Sequence, residues 1–487
     1  MNIAFNRVIS LSFVGRFLAQ IQIAVFGLVI ASLLTKESFG LFQQILSFSL
    51  VSVSIARIGL EIITQLEITK INDLKSIDLL NIDLIKIKII TSMLIVSPVL
   101  ITLILTLIGF NFDSYLIFLL ISYSFFLGVN KYITDAVMIY SLRIIRSLII
   151  VNLSAFLRLC LVFYLIYINH NNITAIVFGM LIIELLIFLY LIFFYKIFSS
   201  NLFSLSLASL TKDNKRHAWH QYGDVLTSLM LSMAGGVIVL SFFQNLELLA
   251  SYTFILAITL GVFSGGSLNS MLEPILNTLL LRKLHANNNN FFEAKIEETL
   301  AAWCSLCVIT NLFFGLCIFV FMGIINEQFL ELKYSGEIPK ILVFYISISL
   351  CFWTYQYSSW ALLNKRLDIT RNSGMISGIL HFLFIAIFTY FFGVDGALGS
   401  YILANIIKSI IMHYYLGRPQ FLQLAIRMCV QKKYSFVLMA FLIFISFTYS
   451  YHQYYYLISF FSLLSSLVIV LKFYITFNNT YLKDINT

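Results

Sequence analysis

Charged residues are scarce in this chain. They make up 11% of its 487 residues, and 60% of the residues are hydrophobic. Soluble proteins of this size carry about 25% charged residues, and the mean hydropathy of +0.95 lies far outside their range. The apolar residues come in runs of about 20, the length that a helix needs to cross a bilayer. The sequence therefore predicts an all-α polytopic membrane protein.

The sequence patterns of catalysis are also missing. There is no Gly-rich phosphate loop, no Walker lysine and no nucleotide-binding domain, which excludes ATP hydrolysis within this chain. Cys304 and Cys307 form a CxxC, but it lies in an apolar run with no second CxxC and no nearby histidine. This setting favours buried packing over metal or redox chemistry. We expect a protein that is not an enzyme and that holds no metal or cofactor.

The apolar runs predict fourteen membrane spans. The first run lacks a small-residue cleavage site, so we expect it to be retained as a helix. The spans are 13–34, 39–60, 87–110, 114–138, 147–168, 173–196, 222–243, 247–280, 301–322, 338–363, 374–393, 396–416, 434–450 and 453–475. The run 247–280 is too long for one straight helix. Gly265, Gly266 and Pro274 predict a kink in it, either a gating hinge or a helix that reaches the cytoplasmic interface.

Lysine and arginine are distributed unevenly between the two sides of the membrane. With the N-terminus in the cytoplasm, 23 of them lie in cytoplasmic segments or near the cytoplasmic ends of spans, 3 lie in external segments or near external span ends, and the remaining 5 lie within spans. This bias follows the positive-inside rule and predicts that both termini are cytoplasmic. The net charge of +9 is thus a topology signal, and we expect no nucleic-acid partner.

A weak internal repeat relates the two halves of the chain. Residues 27–50 align with 236–260, and residues 154–158 align with 377–381. Each pair is six spans apart, and an even offset preserves direction, so the repeats would be parallel. We expect two six-helix lobes followed by two further helices. Their predicted boundaries are 1–200 and 222–416 for the lobes, 201–221 for a cytoplasmic linker, and 434–475 for the last two helices.

Two charged residues fall deep inside neighbouring spans. Arg158 is 11 residues into its span, which places it about 16 Å into a hydrocarbon core about 30 Å thick. Glu184 in the next span would lie at nearly the same depth. A charge at this depth costs a few kcal/mol unless it has a partner or faces water. Two interpretations remain open: an ion pair that locks two helices together, and a cavity cation tuned by a carboxylate.

The repeat adds further ionisable residues to the candidate site. It aligns Arg158 with His381 and places Glu184 one position from Lys408. A single histidine on an apolar helix can also be a satisfied core residue. Two further arginines lie about one turn from cytoplasmic helix ends, where they either snorkel to the headgroups or form a cationic entrance. The candidate cavity residues are Arg158, Glu184, His381, Lys408, Arg16 and Arg57.

Three stretches, taken together in their order and spacing, support a family resemblance. They are "IASLLTKESFGLFQQILSFSLVSVSIARIGLE" at 30–61, "LELLASYTFILAITLGVFSGGSLNSMLEP" at 246–274 and "GVDGALGSYILANIIKSIIMHYY" at 393–415. The chain resembles polysaccharide flippases of the multidrug/oligosaccharidyl-lipid/polysaccharide exporter superfamily over residues 7–416. This resemblance implies a V-shaped transporter that alternates between inward- and outward-facing states around a central cavity.

The resemblance also implies a substrate. Flippases of this kind move undecaprenyl-pyrophosphate-linked oligosaccharides from the cytoplasmic to the periplasmic leaflet, for O-antigen, capsule or a related surface glycan. Cavity cations would hold the pyrophosphate while the polyprenyl tail stays in lipid. The expected partners are this substrate, membrane lipid and other membrane proteins of glycan assembly, and the expected location is the cell inner membrane.

Two other functions remain open. A drug or metabolite antiporter of the same superfamily predicts a net acidic cavity for a cationic substrate, whereas the cations within these spans match or exceed the acids. A membrane glycan polymerase or glycosyltransferase needs a large external loop with catalytic groups. The longest predicted external loop, 323–340, has only 18 residues.

Overall fold

The computed structural model describes most of the predicted spans. The described residues are 5–57, 114–138, 144–168, 172–195, 229–262, 290–349, 357–364 and 366–416, with isolated residues at 99, 222, 223, 226, 227, 277, 351, 468 and 475. The predicted spans 87–110, 434–450 and 453–475 lie outside them except for single residues. The predicted hinge residues Gly265, Gly266 and Pro274 also lie outside the described residues.

All regular structure in these ranges is helical. The helices are α1 (Phe5–Leu33), α2 (Lys36–Arg57), α3 (Ser114–Lys131), α4 (Ile144–Tyr167), α5 (Ile173–Tyr195), α6 (Met233–Ser241), α7 (Leu246–Leu256), α8 (Asn290–Gln328), α9 (Ile338–Ser349), α10 (Tyr357–Leu363) and α11 (Leu367–Leu416). Two of them continue into π-helical turns, at Tyr132–Met138 after α3 and at Ala257–Val262 after α7.

The predicted all-α membrane fold is confirmed. Six of the described helices are long and apolar enough to cross a membrane: α2, α3, α4, α5, α8 and α11. The total of fourteen spans stays a prediction. The two predicted spans 374–393 and 396–416 both lie in α11, which is interrupted at Gly393 with φ 59° and ψ −135°. A glycine has no Cβ to oppose this conformation, so it can break the helix between the two spans.

The predicted span 222–243 is not one continuous helix. Ser232 is extended, with φ −91° and ψ 168°, and α6 begins only at the next residue. The Ser232 hydroxyl accepts a hydrogen bond from the Gly235 N–H at 3.2 Å and donates to the Leu229 carbonyl at 2.6 Å. Serine competes in this way with the backbone bonds of a continuous helix. Hydropathy does not register such a break, because every residue around it is compatible with a span.

The chain divides into two compact units. One consists of Leu18–Ala250 and Gly374–Phe382, and in it α3 packs against α2 and α5, α4 against α5, and α2 against α6. The other consists of Met1–Phe17, Ser251–Ser373 and Leu383–Thr487, and in it α9 packs against α8 and the π-helical turn after α7. The predicted lobe boundaries stay a prediction.

One close helix contact yields a stability prediction. A Cβ built on Gly40 of α2 would overlap the backbone carbonyl of Leu246 in α7, whereas a Cβ on Gly27 of α1 has nothing within 4 Å. Gly40→Ala should therefore destabilise the protein by about 1–3 kcal/mol through overpacking. Gly27→Ala, the matched control, should be neutral or stabilising by about 0.5–1 kcal/mol, because alanine favours helices.

Thermal unfolding of the purified variants in detergent tests this contact. Gly40→Ala should unfold at a clearly lower temperature than Gly27→Ala. Equal melting temperatures would show that α2 and α7 can move apart here without loss.

Candidate functional site

The fourth helix has one lipid-compatible face and one interior face. Beyond Arg146 near its start, its exposed side chains are almost all apolar and form a stripe along one face: Ile145, Ile149, Leu153, Phe156, Phe163 and Tyr167. A soluble protein rarely exposes such a continuous apolar stripe. Arg158 lies on the opposite side of α4, between the buried residues Ala155 and Val162. The charge deep in this span therefore points into the protein rather than into lipid.

Arg158 and Glu184 form the predicted ion pair. Nη2 of Arg158 donates to Oε1 of Glu184 at 2.5 Å, and the two side chains are 16% and 3% exposed. Arg158 belongs to α4 and Glu184 to α5, two neighbouring antiparallel helices that bring the residues to the same depth. The pair is electrically neutral, which lowers the cost of keeping both charges inside a membrane.

Further side chains complete a polar cluster around the pair. Asn130 of α3 donates from Nδ2 to Oε2 and to the backbone carbonyl of Glu184, both at 2.8 Å. Ser154 donates to Oε1 at 3.4 Å. Tyr123 of α3, which is buried, lies close enough to Arg158 to interact with its charge. The cluster thus joins three helices of one unit, and both carboxylate oxygens of Glu184 accept hydrogen bonds.

The sequence interpretation missed Asn130, Tyr123 and Ser154. Asn130 offered a usable signal, because an asparagine within an apolar span commonly hydrogen-bonds across helices. Tyr123 and Ser154 offered none, since tyrosine and serine are frequent throughout these spans. One donor of the guanidinium is not used by the cluster. Nε of Arg158 is buried and has no hydrogen-bond partner in the part of the chain that the structure describes.

His381 lies away from solvent, with an exposure of 0%. Its Nδ1 is 2.7 Å from the carbonyl oxygen of Met230. Because a carbonyl only accepts, Nδ1 carries the proton and donates. This bond engages one of the two ring nitrogens and fits the structural alternative for His381, a core histidine. A role in substrate binding stays a prediction.

Lys408 lies on the interior face of α11. It is one turn from the buried Ala404 and Met412, and it is on the opposite side from the exposed Ile410 and Tyr414. The side chain is half-buried. No carboxylate among the described residues forms an ion pair with it. Lys408 is therefore a cation inside a predicted span, whose charge no described acid balances.

The other candidates are described only in part. Arg16 lies within α1 and Arg57 ends α2, but their side chains are outside the described residues. Cys304 and Cys307 are each 0% exposed in α8, so their predicted packing role is confirmed. Within the described ranges, no group of three or more His, Cys, Asp or Glu side chains could hold a metal ion.

Two buried side chains anchor the longest predicted external loop. The ring of Tyr334 stacks on Phe254 of α7, with centroids 3.8 Å apart, and the buried Glu337 accepts a 2.5 Å hydrogen bond from Ser251. Burial, and secondarily the Glu337 carboxylate, raises the pKa of Tyr334 above its usual value. The Glu337 carboxylate thus ties the loop to α7 and is not exposed for catalysis.

Comparison with known proteins gives matches among solved structures only. No protein-family model and no curated protein matches the chain. A multidrug resistance MATE family transporter of the MOP superfamily, in an outward-facing conformation, matches at a TM-score of 0.56 and 12% identity over 86% of this chain and 96% of that one. A mutant of the Vibrio cholerae MATE transporter VcmN matches at 0.59 and 13% over 86% and 98%. A MATE protein in the straight conformation matches at 0.60 and 13% over 88% and 96%.

At these identities the likeness concerns the fold. It covers nearly the whole length of each solved chain. The chain has the fold of the MATE transporters of the MOP superfamily.

Proposed function

We propose that this chain is an alternating-access membrane transporter whose substrate is a lipid-linked oligosaccharide, held through its pyrophosphate by cations inside the spans. The shared fold supports transport, because the matched proteins are transporters. The resemblance of the three sequence stretches to polysaccharide flippases supports the choice of substrate. The direction of movement would be from the cytoplasmic to the periplasmic leaflet.

The observation that carries this proposal is the unbalanced charge of Lys408. A cation inside a membrane protein is expensive and marks a substrate pathway unless an acid neutralises it. Arg158 has such an acid in Glu184, whereas Lys408 has none among the described residues. The anion that Lys408 needs can be supplied by the substrate, and lysine is a common phosphate ligand.

The mechanism follows from where each part of the substrate is stable. The polyprenyl tail is apolar and stays in lipid, while the pyrophosphate and the sugars require polar surroundings. Lys408 would neutralise part of the pyrophosphate charge. Arg158, which belongs to the other unit, offers its unused Nε donor as a separate contact. Release on the far side requires a second state in which these contacts are weaker.

A drug or metabolite antiporter is the second candidate. One matched structure is described as a multidrug resistance transporter, and Glu184 is a buried carboxylate of the kind that could attract a cationic substrate. Both of its oxygens, however, already accept hydrogen bonds from Arg158 and Asn130. A cationic drug would have to compete with these donors, and Arg158 already balances the charge of Glu184.

A reconstitution experiment separates the candidates. The purified protein is placed in vesicles that contain a fluorescent polyprenyl-pyrophosphate oligosaccharide, and its movement between leaflets is followed by an impermeant quencher. We expect faster exchange than in protein-free vesicles and in vesicles with Lys408→Ala. Uptake of a cationic dye without lipid exchange would support the antiporter. Lengthening of the glycan would support a polymerase.

A further inference from the structure

The interrupted segment between Tyr222 and Ser241 contains irregular backbone near the middle of the predicted span 222–243. Its extended residue, Ser232, is 10 residues from the start of the predicted span, or about 15 Å along a helix. Lipid offers no hydrogen bonds there, so protein groups must satisfy the freed backbone. Broken helices at this depth line substrate or ion pathways in many transporters.

The break does not have the chemistry of a cation site. Three carbonyl oxygens border it, and each accepts a hydrogen bond: that of Thr227 from the backbone N–H four residues on, that of Leu229 from Ser232, and that of Met230 from His381. A bound cation would need these oxygens for itself. The arrangement instead stabilises one conformation of the break.

Two glycines of α11 allow His381 to reach the break. A Cβ on Gly374 would overlap the Thr227 hydroxyl, and a Cβ on Gly378 would lie 3.0 Å from Cβ of Met230. Glycines at these two positions let α11 approach the backbone around Met230 closely. The imidazole of His381, one turn beyond Gly378, then meets the Met230 carbonyl directly.

We propose that His381 is a positioning residue, which donates from Nδ1 to the Met230 carbonyl and thereby fixes the break and the start of α6 in the conformation that transport requires. This inference goes beyond the proposed function, because it does not depend on which substrate the protein carries. It also differs from a cavity role, in which the histidine would meet the substrate through its other nitrogen.

The two roles can be distinguished by the geometry of amide side chains. The amide nitrogen of asparagine occupies nearly the place of Nδ1, whereas that of glutamine reaches the place of Nε2. Phenylalanine keeps the ring volume and removes both nitrogens. The series His381→Asn, His381→Gln and His381→Phe therefore tests the Nδ1 bond separately from the volume of the ring.

The first measurement needs no substrate. A cysteine is introduced at Ala234, which is buried at the start of α6, in a variant whose six native cysteines are replaced by alanine. We expect maleimide labelling of this cysteine to be about tenfold faster with Gln or Phe at position 381, the factor for losing one hydrogen bond from a local opening equilibrium. Labelling with Asn should match that with His.

The second measurement is transport per folded protein in the vesicle assay, with the probe that the wild-type protein moves. We expect Asn to retain transport and Gln and Phe to lose it. Rescue by Gln but not by Asn would overturn the proposal and assign the function to Nε2. Equal labelling and transport across the series would show that the hydrogen bond from His381 to Met230 does not fix the conformation of the break. If the wild type moves neither probe, the proposed function fails, while the labelling result still decides the role of His381.

Discussion

Leucine at Arg158 alone, or at Glu184 alone, is expected to destabilise the protein by about 3–5 kcal/mol. Each single change leaves the other charge buried without its partner, and uncompensated buried charges are costly. The side chains are only 16% and 3% exposed, so water cannot take over the lost interaction. Thermal unfolding and membrane abundance of Arg158→Leu and Glu184→Leu measure the effect.

The double variant Arg158→Leu/Glu184→Leu should recover most of this stability, because an apolar pair can replace a buried ion pair at little cost. We expect it to be folded but inactive in transport, since it lacks the guanidinium that would contact the pyrophosphate. Restored transport in the double variant would show that the pair only locks α4 to α5, and Arg158 would then leave the proposed site.

An exposed ion pair at the start of α11 provides the matched control. Nε of Arg366 is 3.2 Å from Oδ1 of Asp368, and the two side chains are 57% and 43% exposed. Arg366→Leu should cost less than about 1 kcal/mol, because solvent screens such pairs. A loss as large as that of Arg158→Leu would mean that leucine itself, rather than the stranded charge, causes the damage.

The cluster around Glu184 shows how far the sequence could predict the site. Depth along two neighbouring antiparallel spans was sufficient to pair Arg158 with Glu184. It was not sufficient to place Asn130 or Tyr123, because their contacts depend on the rotation of α3 against α5, which hydropathy does not report. The two interpretations of the pair also remain, since the contacts of Glu184 suit a lock and the unused Nε of Arg158 suits a ligand.

The two backbone breaks also differ in whether the sequence could predict them. The division of α11 at Gly393 was predictable, because a glycine lies between two apolar runs that are each long enough to span. The break at Ser232 was not, because it lies inside a single run and depends on a histidine about 150 residues away, His381. The repeat identified His381 as a candidate cavity residue, and that role stays a prediction. The structure shows a buried hydrogen bond from His381 to the Met230 carbonyl.

Lys408→Ala is expected to lower the rate of lipid exchange by about ten- to hundredfold, the range for losing a hydrogen bond to a charged group. Its effect on stability should be small or favourable, because the change removes a half-buried charge that no described acid balances. This combination separates Lys408 from Arg158, whose single replacement should affect folding first. Vesicle exchange and thermal unfolding, measured on the same protein preparation, provide both quantities.

Two further variants make the Lys408 result specific. Lys408→Arg keeps the charge and also binds phosphate, so it should retain part of the activity. Lys340→Ala removes a cation from the predicted external side, where its side chain is 35% exposed and paired with Asp395 at 2.6 Å, and it should transport normally. Full exchange by Lys408→Ala at wild-type abundance would contradict a pyrophosphate contact. The half-buried lysine would then need another anion.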